Sequence, residues 1–225
     1  MNAPMPPSYA YDTTYAAAAD SSGGGKFIDE SGAYIGEITY ARAVQSSTGG
    51  WGVELGFVTN AGQKAKYAPT LWTLSADGKR HFGHDILDCI LICAGMKPGN
   101  AMKPGTVKYT VWDYDLRAEV EKESPGYPAI AGKRIGLLLQ KELYTTKKGA
   151  DGSRIQIVGA FDPETRQAAS EKVENKPATV TDKRLATLKD IDKRNAGEPA
   201  SAAPAGSYTS GSNSSFDDLD SDIPF

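Results

Sequence analysis

The chain has 225 residues, 40% of them hydrophobic, and a formal net charge of −3. That length suits one domain with tails or two small domains, and the slightly low apolar share points to a globular core diluted by flexible segments. The acidic sign argues against a chain that is basic throughout. It is set by one end only: residues 196–225 carry Glu198, Asp217, Asp218, Asp220 and Asp222 and no Lys or Arg, which leaves 25 bases against 23 acids, a net of +2, elsewhere.

Cys89 and Cys93 stand four residues apart on an expected helix, a geometry that disfavours a disulfide, and two Cys do not make a secreted disulfide framework. The start, "MNAPMPPSYAYDTT", lacks the basic and apolar regions of a signal peptide. No run approaches the roughly 18–20 apolar residues of a membrane span. The expectation is a reduced, cytoplasmic protein with no membrane association.

In chain order, residues 1–26 are rich in Pro, Ser, Ala, Tyr and Gly and read as a flexible N-terminal arm. From Phe27 the pattern turns to strands. "AYIGEITYARAVQ" (33–45) alternates. "WGVELGFVT" (51–59) alternates more cleanly, with Trp51, Val53, Leu55 and Phe57 on one face and Trp51 expected in the core. "KAKYAPTLWTL" (64–74) is a third strand, with Pro69 marking an edge or bulge. "HDILDCILICAG" (84–95) sets Ile86, Cys89, Ile90 and Cys93 at helical spacing and stops at Gly95. "TVKYTVWDYD" (106–115) is strand-like and is followed by a looser acidic stretch. "RIGLLLQKELYTT" (134–146) and "RIQIVGAFD" (154–162) read as a hairpin around "KKGADGS". A helix is expected from Asp162 as N-cap and Pro163 as first residue. "TDKRLATLKDIDKRN" can form a short amphipathic helix on Leu185, Leu188 and Ile191, and 196–215 is a Pro/Ala/Gly/Ser linker.

These elements predict a mainly β protein of about six strands. The expected fold is an OB-fold-like, partly open β-barrel with one interposed helix, a C-terminal helix and flexible tails; a generic α+β roll fits the pattern almost as well. The expected division is an arm at 1–26, a core at 27–171, a linker with a short helix at 172–215 and an acidic tip at 216–225.

For catalysis, His81, His84, Cys89 and Cys93 are metal-capable types, but Cys89 and Cys93 lie in the apolar stripe of a helix, where free Cys is a common core residue. Asp85 and Asp88 suggest a metal-dependent nuclease only weakly, since Asp85 also suits a helix N-terminus. No phosphate loop or nucleophile elbow is present. The expectation is no enzyme and no cofactor.

Binding is better supported. By strand parity, Lys64, Lys66 and Trp72 share one face of the third strand. Lys108, Trp112 and Tyr114 share the face of the fourth opposite Val107, Tyr109 and Val111. Arg134, Tyr144 and Arg154 lie on the less apolar face of the hairpin. Lys147 and Lys148 sit at its tip, and residues 133–154 hold six bases against two acids. Aromatics interleaved with cations suit single-stranded nucleic acid: bases stack on rings at roughly 1–3 kcal/mol each while cations track phosphates.

The chain closes on "SSFDDLDSDIPF". A terminal Phe225 offers a ring and a carboxylate at one point, Pro224 stiffens its approach, and the aspartates favour a basic rim on a partner protein. Asp217, Asp218, Asp220, Asp222, Ile223, Pro224 and Phe225 resemble the acidic tip of bacterial single-stranded DNA-binding proteins. "GAYIGEITYARAVQSSTGGWGVELGF", "YAPTLWTLSADGKRHFGHDILDCILICAG" and "GKRIGLLLQKELYTTKKGADGSRIQIVGAFDPETRQAASE" resemble the single-stranded DNA-binding proteins of tailed bacteriophages in segment order and strand–helix pattern. The resemblance implies an OB-fold core that coats single-stranded DNA in the cytoplasm of the infected bacterium. It also implies a tip that recruits replication, recombination and repair proteins of host or phage. Homo-oligomerisation is left open. The alternatives are a protein–protein adaptor without DNA binding and a metal-dependent nuclease on His81, His84, Asp85 or Asp88.

Overall fold

The computed structural model describes residues 27–97, 102–113, 116–146 and 148–194, with backbone only at Trp112 and Asp113. The elements are β1 (Gly32–Gln45), β2 (Trp51–Thr59), β3 (Thr70–Leu74), α1 (Phe82–Cys93), β4 (Gly105–Asp113), β5 (Ala118–Gly126), β6 (Arg134–Thr145), β7 (Asp151–Phe161), α2 (Ala169–Glu174), α3 (Val180–Thr187) and β8 (Ile191–Asp192).

Four tight turns share one design. In residues 46–50, 59–63, 75–79 and 146–150, a Ser or Thr opens the turn and Gly stands three places on. The backbone bonds are Ser46 N to Gly50 O, Thr59 N to Gln63 O, Ser75 N to Lys79 O and Thr146 N to Ala150 O. In each, the opening hydroxyl oxygen also accepts the N–H of the closing residue. The glycine takes positive φ, +90° at Gly49 and +77° at Gly149, which a side chain would strain.

β1 is long enough to serve two neighbours. Its first part, Gly32 to Glu37, pairs antiparallel with β6, and its later part pairs with β2. β2 pairs onward with β3, and β6 with β7. No β3–β7 pairing exists among the described residues, so the barrel stays open there, and α1 packs against both strands. Its Ile86, Leu87, Ile90 and Cys93 enter a core with Ile38, Leu55, Ile130, Ile135, Leu137 and Leu139. Counting β1, β2, β3, β6 and β7, this is a mainly β, OB-like, partly open barrel with one interposed helix. The tails expected at 1–26 and 196–225 lie outside the described residues.

The acidic stretch read as loose is β5. It pairs with β4 from Gly105↔Gly126 to Asp113↔Ala118, and the hairpin joins the barrel through Arg42↔Gly126. Most of β5 is exposed, so its sequence carries no apolar alternation to betray a strand. The third strand is shorter than expected. Residues 64–69 form a loop fixed by bridges from Lys64 to Phe27 and Val58, and pairing resumes only beyond Pro69, which has no N–H to give. Trp51 is 46% exposed rather than buried, because a register shift between Trp51 and Gly52 interrupts the alternation at the strand's first residue.

Asp162 caps a turn, not a helix. Its Oδ1 accepts the N–H groups of Glu164 and Thr165 at 2.9 and 3.0 Å, and α2 begins seven residues later. Burial would raise the Asp162 pKa, but hydrogen bonds from Lys172, Thr165 and Glu164 outweigh it and hold the carboxyl below its ordinary value. Glu171 caps two helices at once. One carboxylate oxygen accepts Ala168 N at 2.9 Å, and the other accepts Thr179 N at 2.7 Å and Val180 N at 2.9 Å.

The expected helix on Leu185, Leu188 and Ile191 ends at Thr187. Tertiary bonds draw the following chain out straight: Gln140 Nε2 donates to Lys189 O at 2.9 Å and Ser31 Oγ to Asp190 Oδ1 at 2.6 Å. Ile191 and Asp192 then pair in parallel with Glu142 and Leu143 of β6. The ordered unit thus continues to Arg194, past the linker boundary expected at 172.

Candidate nucleic-acid interface

The outward face of β1, β2 and β3 is built around two glycines. Val53, Leu55 and Phe57 of β2 point inward and are buried, which leaves Gly52, Glu54, Gly56 and Val58 outward. A Cβ at Gly52 would lie 2.9 Å from the Trp72 ring, and one at Gly56 would lie 2.3 Å from the Tyr40 ring. Glycine lets both rings lie close on the sheet. The register sets Trp72 and Thr70 of β3 beside Gly52 and Glu54, and Arg42 and Tyr40 of β1 beside Glu54 and Gly56.

β1 reaches this arrangement through a bulge between Ile38 and Tyr40. Without it, Ile38 and Tyr40 would share a face. With it, Ile38 is fully buried while Tyr40 and Arg42 turn outward, the re-aiming a bulge provides. Arg42 donates to Glu54 Oε2 at 2.6 Å and to Tyr109 Oη at 3.1 Å, and Tyr40 Oη donates to Glu54 Oε1 at 3.1 Å. The Tyr40 and Tyr109 ring centroids are 5.3 Å apart, and the Arg42 guanidinium carbon lies 4.9 Å from the Tyr109 centroid. Burial, then the charge and hydrogen bond of Glu54, push the Tyr40 phenol well above its ordinary value, so it stays a neutral donor. Arg42 Nε is buried with no hydrogen-bond partner.

The β4–β5 hairpin supplies one wall and has two chemically different faces. Tyr109 and Lys122 are register partners on the face toward Tyr40. Lys108, Glu121 and Glu123 occupy the other, where Lys108 pairs with Glu121 at 2.9 Å and Glu123 at 3.7 Å. The two turns that flank the β2–β3 face in an OB barrel are residues 46–50 and 146–150, and Lys148 is exposed in the second.

Of the residues the sequence nominates, Trp72 lies on this face. Lys108 lies on the acidic side of the hairpin. Lys64 pairs with Glu119 at 3.3 Å, and Arg134 pairs with Glu164. Lys66 stands away on the 60–69 loop, its Nζ 5.4 Å from the Tyr67 centroid. Tyr144 and Arg154 belong to a separate cluster: the Arg154 guanidinium lies over the Tyr144 ring at 5.5 Å and bonds Glu142 at 2.6 Å. Glu142 also receives Lys193 at 3.0 Å and Gln156 at 3.1 Å, and only 2% of it is exposed. Trp112 pairs by backbone with Glu119. Tyr114, Lys147 and the tip at Asp217, Asp218, Asp220, Asp222, Ile223, Pro224 and Phe225 lie outside the described residues.

Sequence reasoning did not nominate Tyr40, Arg42 or Tyr109, although the face it gave Tyr109, with Val107 and Val111, is the one observed. The available signal was Gly52 and Gly56, two side-chain gaps on one face of a core strand.

Of the residues considered for a nuclease, the two aspartates are engaged otherwise, and His84 Nδ1 is buried without a hydrogen-bond partner. Arg80 bonds Asp85 at 2.7 Å and Asp88 at 2.5 Å. Cys93 is buried, which pushes its thiol up to about 12, and burial raises Cys89 too. Among the described residues no three His, Cys, Asp or Glu side chains converge as a metal site, and no helix is long and apolar enough to cross a membrane. No protein-family model matches the chain, and no curated protein matches it.

Proposed function

We propose that the chain is a sequence-independent single-stranded DNA-binding protein that acts without a cofactor. The observation that carries this reading is the set of three rings, Trp72, Tyr40 and Tyr109, on the outward β1–β3 face and its hairpin wall, where OB barrels take oligonucleotides. Every base has a π-face, so such rings hold single strands with little regard to sequence. Exposed Lys122 beside Tyr109 and Lys148 in the 146–150 turn are placed to meet phosphates. The resemblance to bacteriophage proteins supports a role in coating DNA during replication, recombination or repair in an infected bacterium. The Asp-rich Ile223-Pro224-Phe225 tip supports recruitment of partner proteins.

The test is intrinsic tryptophan fluorescence titrated with poly-dT at low salt, followed by a NaCl back-titration. Quenching that salt reverses, and that Trp72→Phe largely abolishes, supports the reading. No quenching, with no binding by a label-free method, overturns it in favour of a protein adaptor. Deleting residues 217–225 is expected to abolish partner capture and to tighten DNA binding if the tip competes for the basic face; unchanged DNA affinity would refute the competition.

A further inference from the structure

A second aromatic and cationic surface lies off the β2–β3 face. At the far end of β2 the 60–69 loop turns across the open seam of the barrel, pinned by the Ile28 N to Lys64 O bond at 3.0 Å. Beside it opens a cleft of about 110 Å³ whose lining includes Phe27, Asp29, Lys66, Tyr67, Lys141 and Arg154. Phe27 is 38% exposed and Tyr67 is 53% exposed. Arg154 is committed to Glu142, but two large rings in water beside Lys66, Lys141 and Asp29 are poorly explained by core packing. The Lys66 ammonium already sits at cation–π distance from Tyr67.

The first face leads along β2 toward the loop that lines the cleft. Along β2 the outward positions run from Gly52, under Trp72, to Gly56, under Tyr40, and then to Val58, which bridges Lys64. That run is about 20 Å at strand rise. Beyond Lys64 the next exposed side chains are Lys66 and Tyr67. Resting on the function proposed above, we infer that the cleft is an extension of the DNA site. It would take one or two further nucleotides of the same strand, with a base against Tyr67 or Phe27 and a phosphate near Lys66 and Lys141.

The experiment compares the full chain with a Lys66→Ala/Tyr67→Ala double variant and with Trp72→Ala. Each is titrated with a dT oligonucleotide of about six nucleotides and one of about 20, spanning the range of OB site sizes. Both cleft residues are exposed, so folding is expected to survive, and circular dichroism checks it. The cleft variant is expected to weaken the long oligonucleotide roughly tenfold more than the short one and to shorten the occluded site by one or two nucleotides. Trp72→Ala is expected to weaken both lengths. Equal loss at both lengths would make the cleft part of the first face and overturn the inference, as would no loss at either. Should the unaltered chain bind neither length, the functional reading itself falls and the extension falls with it.

Discussion

Two regions of the barrel carry the same chemistry to different ends. On β1–β2, Arg42 bonds Glu54 at 2.6 Å and lies 4.9 Å from the Tyr109 centroid. On β6–β7, Arg154 bonds Glu142 at 2.6 Å and lies 5.5 Å from the Tyr144 centroid. The difference is what covers them. Residues 188–194 lie along β6 and bring Lys193 onto Glu142, whose side chain is 3% exposed against 17% for Glu54, while the two arginines are alike at 26% and 28%. One Arg–Tyr–Glu cluster is thus covered by the chain, and the other, on the face proposed to bind DNA, is left open. Residue type alone does not separate the two.

The comparison breaks most sharply at Glu142. Glu142→Ala leaves Arg154 and Lys193 beside a vacated site and is expected to cost about 3 kcal/mol, a fall of roughly 6–12 °C in Tm. DNA affinity of the folded fraction should be nearly unchanged; calorimetry and titration on one sample check both. Trp72→Ala is expected to do the reverse, losing roughly 10- to 100-fold in affinity for dT oligonucleotides with little change in Tm. A matched pair of variants, Arg42→Ala and Arg154→Ala, should divide the same way, the first lowering affinity and the second stability.

Acid sharpens the role of the cover. Burial would raise the Glu171 pKa, but its bonds from the Ala168, Val180 and Thr179 backbone hold it down, from 4.5 to about 2. A carboxylate depressed on folding contributes stability that is present above its unfolded pKa and is lost as pH falls through its folded one. Between about pH 4.5 and 2, residues 169–194 should therefore loosen, and Glu171→Gln should remove that pH step. Amide exchange of α2 and α3 against pH measures it. The smallest effects divide the hairpin by face. Lys122→Ala should weaken DNA binding a few-fold and lower the salt slope by about 1. Lys108→Ala, on the glutamate side, should change neither.

How much of this was legible follows from where each cue resides. The bounds of β2 and the length of α1 were readable because each buries one face and repeats with its own period. Trp72 was readable because parity holds through a five-residue strand. Tyr40 and Arg42 were not, since the bulge after Ile38 reverses parity without a mark in the sequence. β5 was hidden because it is wet on both faces. The straightening after Thr187 was hidden because its causes, Gln140 and Ser31, are distant in sequence. Tyr144 and Arg154 do meet as ring and cation, but the strand that buries their partner Glu142 comes from some 50 residues further along.

The four Ser/Thr-x-x-Gly turns bear on how the chain folds. Each closes over five residues with its own hydroxyl bond, so each can form on the microsecond scale of hairpins without help from the rest of the barrel. By contrast, the β1–β6 ladder joins Gly32 to Leu139, a loop whose closure entropy must be met before any of its bonds form. Local register is therefore set early, and joining the two halves is the slow event. Replacing Gly149 should slow the β6–β7 hairpin, whereas truncating Leu137 should slow the chain as a whole.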